Sequence, residues 1–274
     1  MKKAGRSSIL TRMGKTERYT VYDPFAAVYD RHWGSMFFED ARQGIHDIFL
    51  PLLPPKARLL DLCCGTGQMA HWLTGCGFRV TGLDGSSEMI RHARRNAPQA
   101  GFIVEDARAF DLPGQFDAVI SLFDSLNHVP DQDGLLQVFS NVHEALSADG
   151  LFFFDMNMDE GFRCSWNEMY SHVETDQVFV TRARYDPKAG VGKTLVTLFR
   201  PNGQDWRRED LEIAEYCYAE EVVKALLAKA GFSDVTVYDG AADLGMPRGD
   251  GRLFFLAAKG EMKKVPPHTA AGPS

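Results

Sequence analysis

From Leu59 onward, short apolar runs alternate with amphipathic stretches. Leu59–Leu62 reads as a strand, and Gln68–Leu73 as the core of a helix ending near Gly75. The run FRVTGLD closes at Asp84, where Ser86 or Ser87 can cap a helix through Arg95 that Pro98 stops. FIVED and FDAVISLF supply a third and a fourth strand. Within DGLLQVFSNVHEAL, Leu135, Leu136, Phe139, Val142 and Leu146 recur at helical spacing, and Gly150 turns the chain into a fifth strand, LFFFD. Such alternation predicts an α/β fold, a Rossmann-like doubly wound parallel sheet. VTVYD and RLFFLAA add two last strands, making seven.

The pattern changes after Asn157. Residues 170–218 hold stretches of period two, QVFVTRARY and KTLVTLFR, separated by the turn-forming clusters DPKAG and PNGQD. They predict two or three antiparallel strands inserted between strands five and six. Helical spacing returns in AEEVVKALLAKAGF, with Gly231 as its C-terminal cap. Ahead of the sheet, residues 21–56 are aromatic and partly helical, and Ile45, Ile48, Phe49 and Leu52 form one apolar face. For Tyr22, Tyr29 and Trp33 two readings stand side by side, a helix covering the sheet and a lid over a ligand. The chain thus divides into a basic arm (1–20), a helical lid (21–56), the first half of the sheet (57–158), an antiparallel insertion (159–218), a last helix with two strands (219–260) and a tail (261–274). Arm and tail are expected to be disordered, having little to bury. The arm, with six Lys/Arg against one Glu, also has the composition of a targeting segment.

Composition narrows the partners. A net charge of −7 gives no broad attraction to nucleic acid. Five cysteines, Cys63, Cys64, Cys76, Cys164 and Cys217, are odd in number and irregular in spacing. They suit neither a disulfide framework nor a metal site, and point to a reducing cytoplasm. No apolar run approaches the roughly 18 residues of a membrane span.

The chemistry concentrates in LLDLCCGTGQMAHWL. Gly65, Gly67 and Ala70 satisfy G-x-G-x-x-G/A, and Asp84 lies where a ribose-binding acid belongs. Alone, that pattern suits a nicotinamide or flavin oxidoreductase. Asp61, four positions before Gly65, argues against it: beside a pyrophosphate it would repel by roughly 1–4 kcal/mol at about 4 Å. Beside a cationic ligand it attracts.

LLDLCCGTGQ resembles motif I of the class I S-adenosylmethionine-dependent methyltransferases, VTGLDGSSEMI their second motif, and VEDARAFDLPGQFDAVISLFDSLNHV their third and fourth. The resemblance covers about residues 59–157, which makes 57–158 the cofactor-binding half. Cys63 departs from it, since many members have glycine there. The resemblance implies that Asp61 binds the methionine ammonium, that Gly65 and Gly67 admit the methionine and ribose, that Asp84 accepts from both ribose hydroxyls, and that Asp106 and the Ala107 N–H meet adenine. It places Tyr29 beside the cofactor.

LFDSLNHV follows strand four, on the family's substrate side. His128 stands there as a histidine does in the similar amino-sugar N-methyltransferases, a candidate base or substrate-orienting group. Asp124 and Asn127 are further candidates in that loop. The Asn/Asp-Pro-Pro-aromatic signature of amino-methylating DNA enzymes is not in this loop, so the expected acceptor is a small molecule, without nucleic acid or membrane. No metal is expected, and the insertion could roof the acceptor pocket or pair two subunits as a homodimer. A nicotinamide-dependent oxidoreductase and a non-catalytic S-adenosylmethionine-binding protein remain the alternative readings.

Overall fold

The computed structural model describes residues 19–261. Apart from residues 19, 20 and 261, the arm and tail expected to be disordered lie outside the described residues. In chain order the elements are α1 (Ala26–His32), α2 (Gly34–Ile48), β1 (Arg58–Leu62), α3 (Gln68–Gly75), β2 (Arg79–Asp84), α4 (Ser87–Asn96), β3 (Gly101–Val104), β4 (Phe116–Ser121), α5 (Gln132–Ala145), β5 (Leu146–Asn157), α6 (Asp159–Ser165), β6 (Met169–Val173), β7 (Val178–Asp186), β8 (Val191–Asn202), β9 (Asp205–Tyr216), α7 (Glu220–Ala230), β10 (Asp234–Asp239) and β11 (Arg252–Ala258).

Seven strands form the main sheet in the order β10-β11-β5-β4-β1-β2-β3. The pairs among β1 to β5 are parallel, whereas β11 runs antiparallel to both β5 and β10. The sheet is therefore mixed at one end. β10 returns into β11 through residues 240–251, without the crossover helix that a parallel pair needs. The insertion carries four antiparallel strands, β6-β7-β8-β9, more than the two or three that period-two stretches suggested. The extra strand, MYSHV, is the short outer one, and its alternation is weak. β5 begins at Leu146 rather than after Gly150.

Side chains of successive β5 residues alternate between two cores, as a pleated strand requires. Phe152 and Phe154 join the core under α5 and α7, while Phe153 faces the other side and stacks on Phe49 at 4.9 Å. Each such ring contributes roughly 1.5–3 kcal/mol on burial. Ile45 and Phe49, the fully buried part of the apolar face expected around α2, pack against the sheet. A third core joins Phe25 and Val28 of the N-terminal segment to Phe179, Val196, Leu198 and Ile213 of the insertion. So the N-terminal region splits: α2 covers the sheet, and residues 19–33 pack with the insertion.

Helix ends follow local chemistry. Ser86, not Ser87, caps α4 by accepting from the Met89 N–H at 3.1 Å. Gly231 ends α7 with φ +106. The described residues of highest apolar exposure, Met169, Tyr170, Val173, Leu195 and Trp206, all lie on the insertion. No described helix is long and apolar enough to cross a membrane.

Candidate active site

The carboxyl ends of β1 to β4 open into a cavity of about 810 Å³. Residues 19–33 and the insertion enclose its other walls, with Tyr22, Phe25, Tyr29 and Trp33 all lining it. Of the residues singled out from the sequence, Tyr29, Gly65, Asp84, Asp106, Ala107, Asp124 and His128 line this one cavity. Asp61, Gly67 and Asn127 do not.

Asp84 ends β2 with one oxygen accepting from the Gly65 N–H and the other from the Ser86 N–H, both at 2.9 Å. Each carboxylate oxygen offers two lone pairs, so both keep capacity toward the cavity. Burial pushes its pKa up to about 6. Asp106 is 3% exposed and chelated by Arg108, whose Nε and Nη2 donate at 2.8 Å. Burial alone would raise its pKa, but the Arg108 hydrogen bonds bring it below the usual carboxylate value. Any adenine amino group meeting Asp106 must share it with Arg108, which the motif did not announce.

Asp61 lies beneath the glycine bend, 3% exposed, with Oδ2 unpartnered. Burial, then the Asp84 charge, pushes its pKa up to about 8. An orphaned, desolvated carboxyl oxygen fits a ligand cation, which favours its ionised form, and offers a diphosphate no positive partner. Together with the outward capacity of Asp84 beside it, this donor set fits a molecule carrying an ammonium and a ribose diol.

The two glycines do different work. Gly65 has φ +52, and a Cβ there would meet Tyr29 at an ordinary 3.6 Å, so its backbone angle is what calls for glycine. At Gly67, φ is +87 and a Cβ would come 2.9 Å from Ala93 Cα. The collision expected with a ligand is here a collision with α4. Cys63 has φ +59, which explains why glycine is common at that place in the family. A non-glycine residue there costs about 1–2 kcal/mol.

At the opposite wall, His128 donates from Nδ1 to the Ala214 carbonyl at 2.9 Å, leaving the Nε2 lone pair to accept from the Tyr22 hydroxyl at 3.1 Å. Burial lowers its pKa, so the imidazole is neutral. Tyr22 is raised by burial and then by Glu215, so its phenol keeps the proton it donates. The loop carrying His128 is strained: Phe123 and Asp124 both have positive φ, +63 and +51. Asp155 holds it by accepting from both their N–H groups, at 2.6 and 3.1 Å. Asp124 itself is engaged by Arg252 at 2.9 Å. Asn127 is fully buried and bridges the Asn157 and Tyr216 carbonyls at 3.1 and 2.9 Å, tying the loop to the insertion.

Sequence reading missed three groups. Asp30 on α1 takes hydrogen bonds from His92, Asn96 and Gln68, and Asp23 takes one from Ser86, fastening the aromatic segment over the donor end. His32, His172 and Glu174 have nitrogen and oxygen atoms within 4.8 Å of one another, with Gln177 and Arg31 on Glu174, joining α1 to β6. Glu215 on β9 is buried and lines the cavity. In sequence they carry no motif that assigns them to a site, although Asp23 and Asp30 each follow a tyrosine and His172 and Glu174 stand two apart.

Residues 59–150 match a family model described as a methyltransferase domain. YqeM of Bacillus subtilis (strain 168) is 28% identical over 250 residues, covering 87% of this chain and 97% of that protein. The glycine/sarcosine N-methyltransferase of Halorhodospira halochloris is 25% identical over 216 residues, 72% of this chain and 80% of its own. A dTDP-3-amino-3,6-dideoxy-alpha-D-glucopyranose N,N-dimethyltransferase of Streptomyces fradiae is 29% identical over 157 residues, 56% of this chain and 60% of its own. Among solved structures, an S-adenosylmethionine-dependent methyltransferase from Clostridium acetobutylicum ATCC 824 superposes with a TM-score of 0.71 at 21% identity, over 88% of this chain and 99% of that one. The sugar N-methyltransferase KedS8 from Streptoalloteichus sp ATCC 53650 does so at 0.68 and 20% identity, over 95% and 100%. An acid beneath the bend, a second acid beside it and the family match across them make residues 59–150 the domain of an S-adenosylmethionine-dependent methyltransferase.

Proposed function

We propose that the protein methylates a small-molecule acceptor held in the aromatic end of the cavity, with His128 taking the proton that the acceptor loses. The observation carrying this reading is the continuity of one cavity from Gly65 and Asp84 at the donor end to His128 and Tyr22 at the other. A closed acceptor side would instead have suited a protein that only binds the donor.

S-adenosylmethionine supplies a methyl group on a sulfonium, already an excellent leaving group. What this chain must add is position, dryness and a proton acceptor. In our reading Asp61, beneath the bend and outside the cavity wall, answers the ammonium through a bridging water, Asp84 the ribose hydroxyls, and Asp106 with the Ala107 N–H the adenine. Tyr29 packs over the Gly65 bend and shields it from water. The Ala214 carbonyl fixes the His128 tautomer, so Nε2 is the atom that accepts the acceptor's proton once the Tyr22 hydroxyl turns away from it.

The same reading locates the protein in the cytoplasm, where its five cysteines, all free, would stay reduced. It also keeps a homodimer through the insertion, for sedimentation to test. Transfer of a labelled methyl group to a panel of small amines, alcohols and phenols, run beside DNA and RNA, tests the acceptor class. Labelling of nucleic acid alone would overturn it.

A further inference from the structure

The acceptor end contains a carboxylate that the donor set does not use. Glu215, near the end of β9, is 6% exposed and lines the cavity. Its Oε2 has no hydrogen-bond partner, and its Oε1 lies 3.9 Å from His128 Nε2. A buried, unpartnered polar atom is unfavourable, and native proteins keep one where a ligand completes it or where strain serves a function.

The surroundings fix the charge of that ligand. Six carboxylates line the cavity, Asp84, Asp106, Asp124, Glu168, Glu215 and Asp250, against three arginines. Each arginine is already committed: Arg108 to Asp106, Arg248 to Asp40, and Arg252 to Asp124 and Asp155. None of the described lining residues therefore brings Glu215 a positive charge of its own at contact distance. Tyr22 lies edge-on to His128 at 5.4 Å, and Tyr19 is tilted against it at the same distance. Tyr19, Tyr22 and Glu215 line the same cavity, so aromatic rings and an unmatched carboxyl group share its acceptor end, and both attract a cation.

We infer that Glu215 is a binding subsite for a positively charged nitrogen on the acceptor, so that the protein methylates an amine rather than a hydroxyl. This rests on the methyl transfer proposed above and names its substrate class. An ammonium enters against Glu215 and gives one proton to His128 Nε2. The freed nitrogen lone pair forms the new N–C bond while the C–S bond breaks and its electron pair stays on sulfur. Positive charge then passes from sulfur to nitrogen, where Glu215 stands ready to meet it. A hydroxyl acceptor would develop no such charge, and an alkoxide would face repulsion from the same carboxylate.

The test measures binding before turnover. Calorimetry on the full chain saturated with S-adenosylhomocysteine compares choline, a permanent cation, with its uncharged carbon isostere 3,3-dimethylbutan-1-ol. We expect choline to bind at least tenfold more tightly, and Glu215→Gln to abolish that preference while melting no lower than the wild type. S-adenosylhomocysteine affinity should change less than threefold in the variant. Equal binding of the two probes, or an unchanged preference in Glu215→Gln, overturns the subsite and leaves methyl transfer standing. Failure of S-adenosylhomocysteine to bind would remove the donor reading and this inference with it. Matched primary amines and alcohols offered with labelled donor give the second readout: amines should be methylated at least tenfold faster, and a preference for alcohols overturns the assignment.

Discussion

The two ends of the cavity are built on different length scales. At the donor end, the acids and glycines that meet come from residues 61–107 of the chain, through the carboxyl termini of β1, β2 and β3, and Tyr29 covers them from the N-terminal segment. The acceptor end is assembled across long separations: His128 touches Tyr22 and Ala214, which lie 106 and 86 residues away. A contiguous motif can specify the first. The second exists only after the N-terminal segment and the insertion have packed on each other through their shared core. The donor end therefore reads as an adaptable module for any methylation, and the acceptor end as the part that makes this protein particular.

If that division holds, variants should separate cleanly by end. The largest effect is expected at His128. His128→Gln should lower kcat by roughly 10²–10⁴-fold, the usual worth of a general base, while S-adenosylhomocysteine affinity by calorimetry stays within threefold. Loss of donor binding instead would show that the two ends are not separable. Next comes Asp84→Asn, which weakens hydrogen bonds worth about 1.5–3 kcal/mol each when an acceptor is charged. Donor affinity should fall roughly tenfold to a hundredfold, and a turnover defect at saturating donor would count against the division.

Gly67→Ala probes stability without touching the cavity. The new Cβ meets Ala93 and sits at φ +87, so about 2–3 kcal/mol should be lost. For a chain of this size that is a drop of roughly 4–12 °C in Tm. An unchanged Tm would mean that α4 yields.

The gentlest test is pH. Asp61 holds its proton up to about pH 8 in the folded protein, against an ordinary value of 3.8. Its folded pKa is raised, so the unfolded chain releases this proton first, and stability from this group falls as pH rises between those values. A bound ammonium favours the ionised form and releases the proton, so donor affinity should strengthen from pH 6 to pH 8. The limit is tenfold per unit, with one proton released. Asp84, raised only to about 6, is already ionised over most of that window. In Asp61→Asn the slope should vanish; a slope that persists would point to another group.

Legibility followed the same division. Five parallel strands, the capped helices and the Gly65 bend were readable because each depends on neighbours within a few residues. The fourth strand of the insertion was not, since MYSHV gains its strand character only from pairing with β7. At the site, Asp84 was readable from the motif spacing and Asp106 from the family resemblance, and both line the cavity. Arg108 engaging Asp106, and Asp61 lying below the bend instead of lining the cavity, were not, because side-chain direction is not encoded in spacing. His128 was visible as a lone histidine after β4, but its tautomer needed Ala214.

By itself, the sequence determined the doubly wound sheet and the donor bend, since hydrophobic period and glycine backbone freedom are local properties. Only the tertiary structure decided what Gly67 avoids, which His128 nitrogen keeps its lone pair, and that Glu215 stands unmatched. Those are facts of burial and approach between distant segments, and the cost of desolvating a charge is set by everything packed around it, not by the residues beside it in the chain.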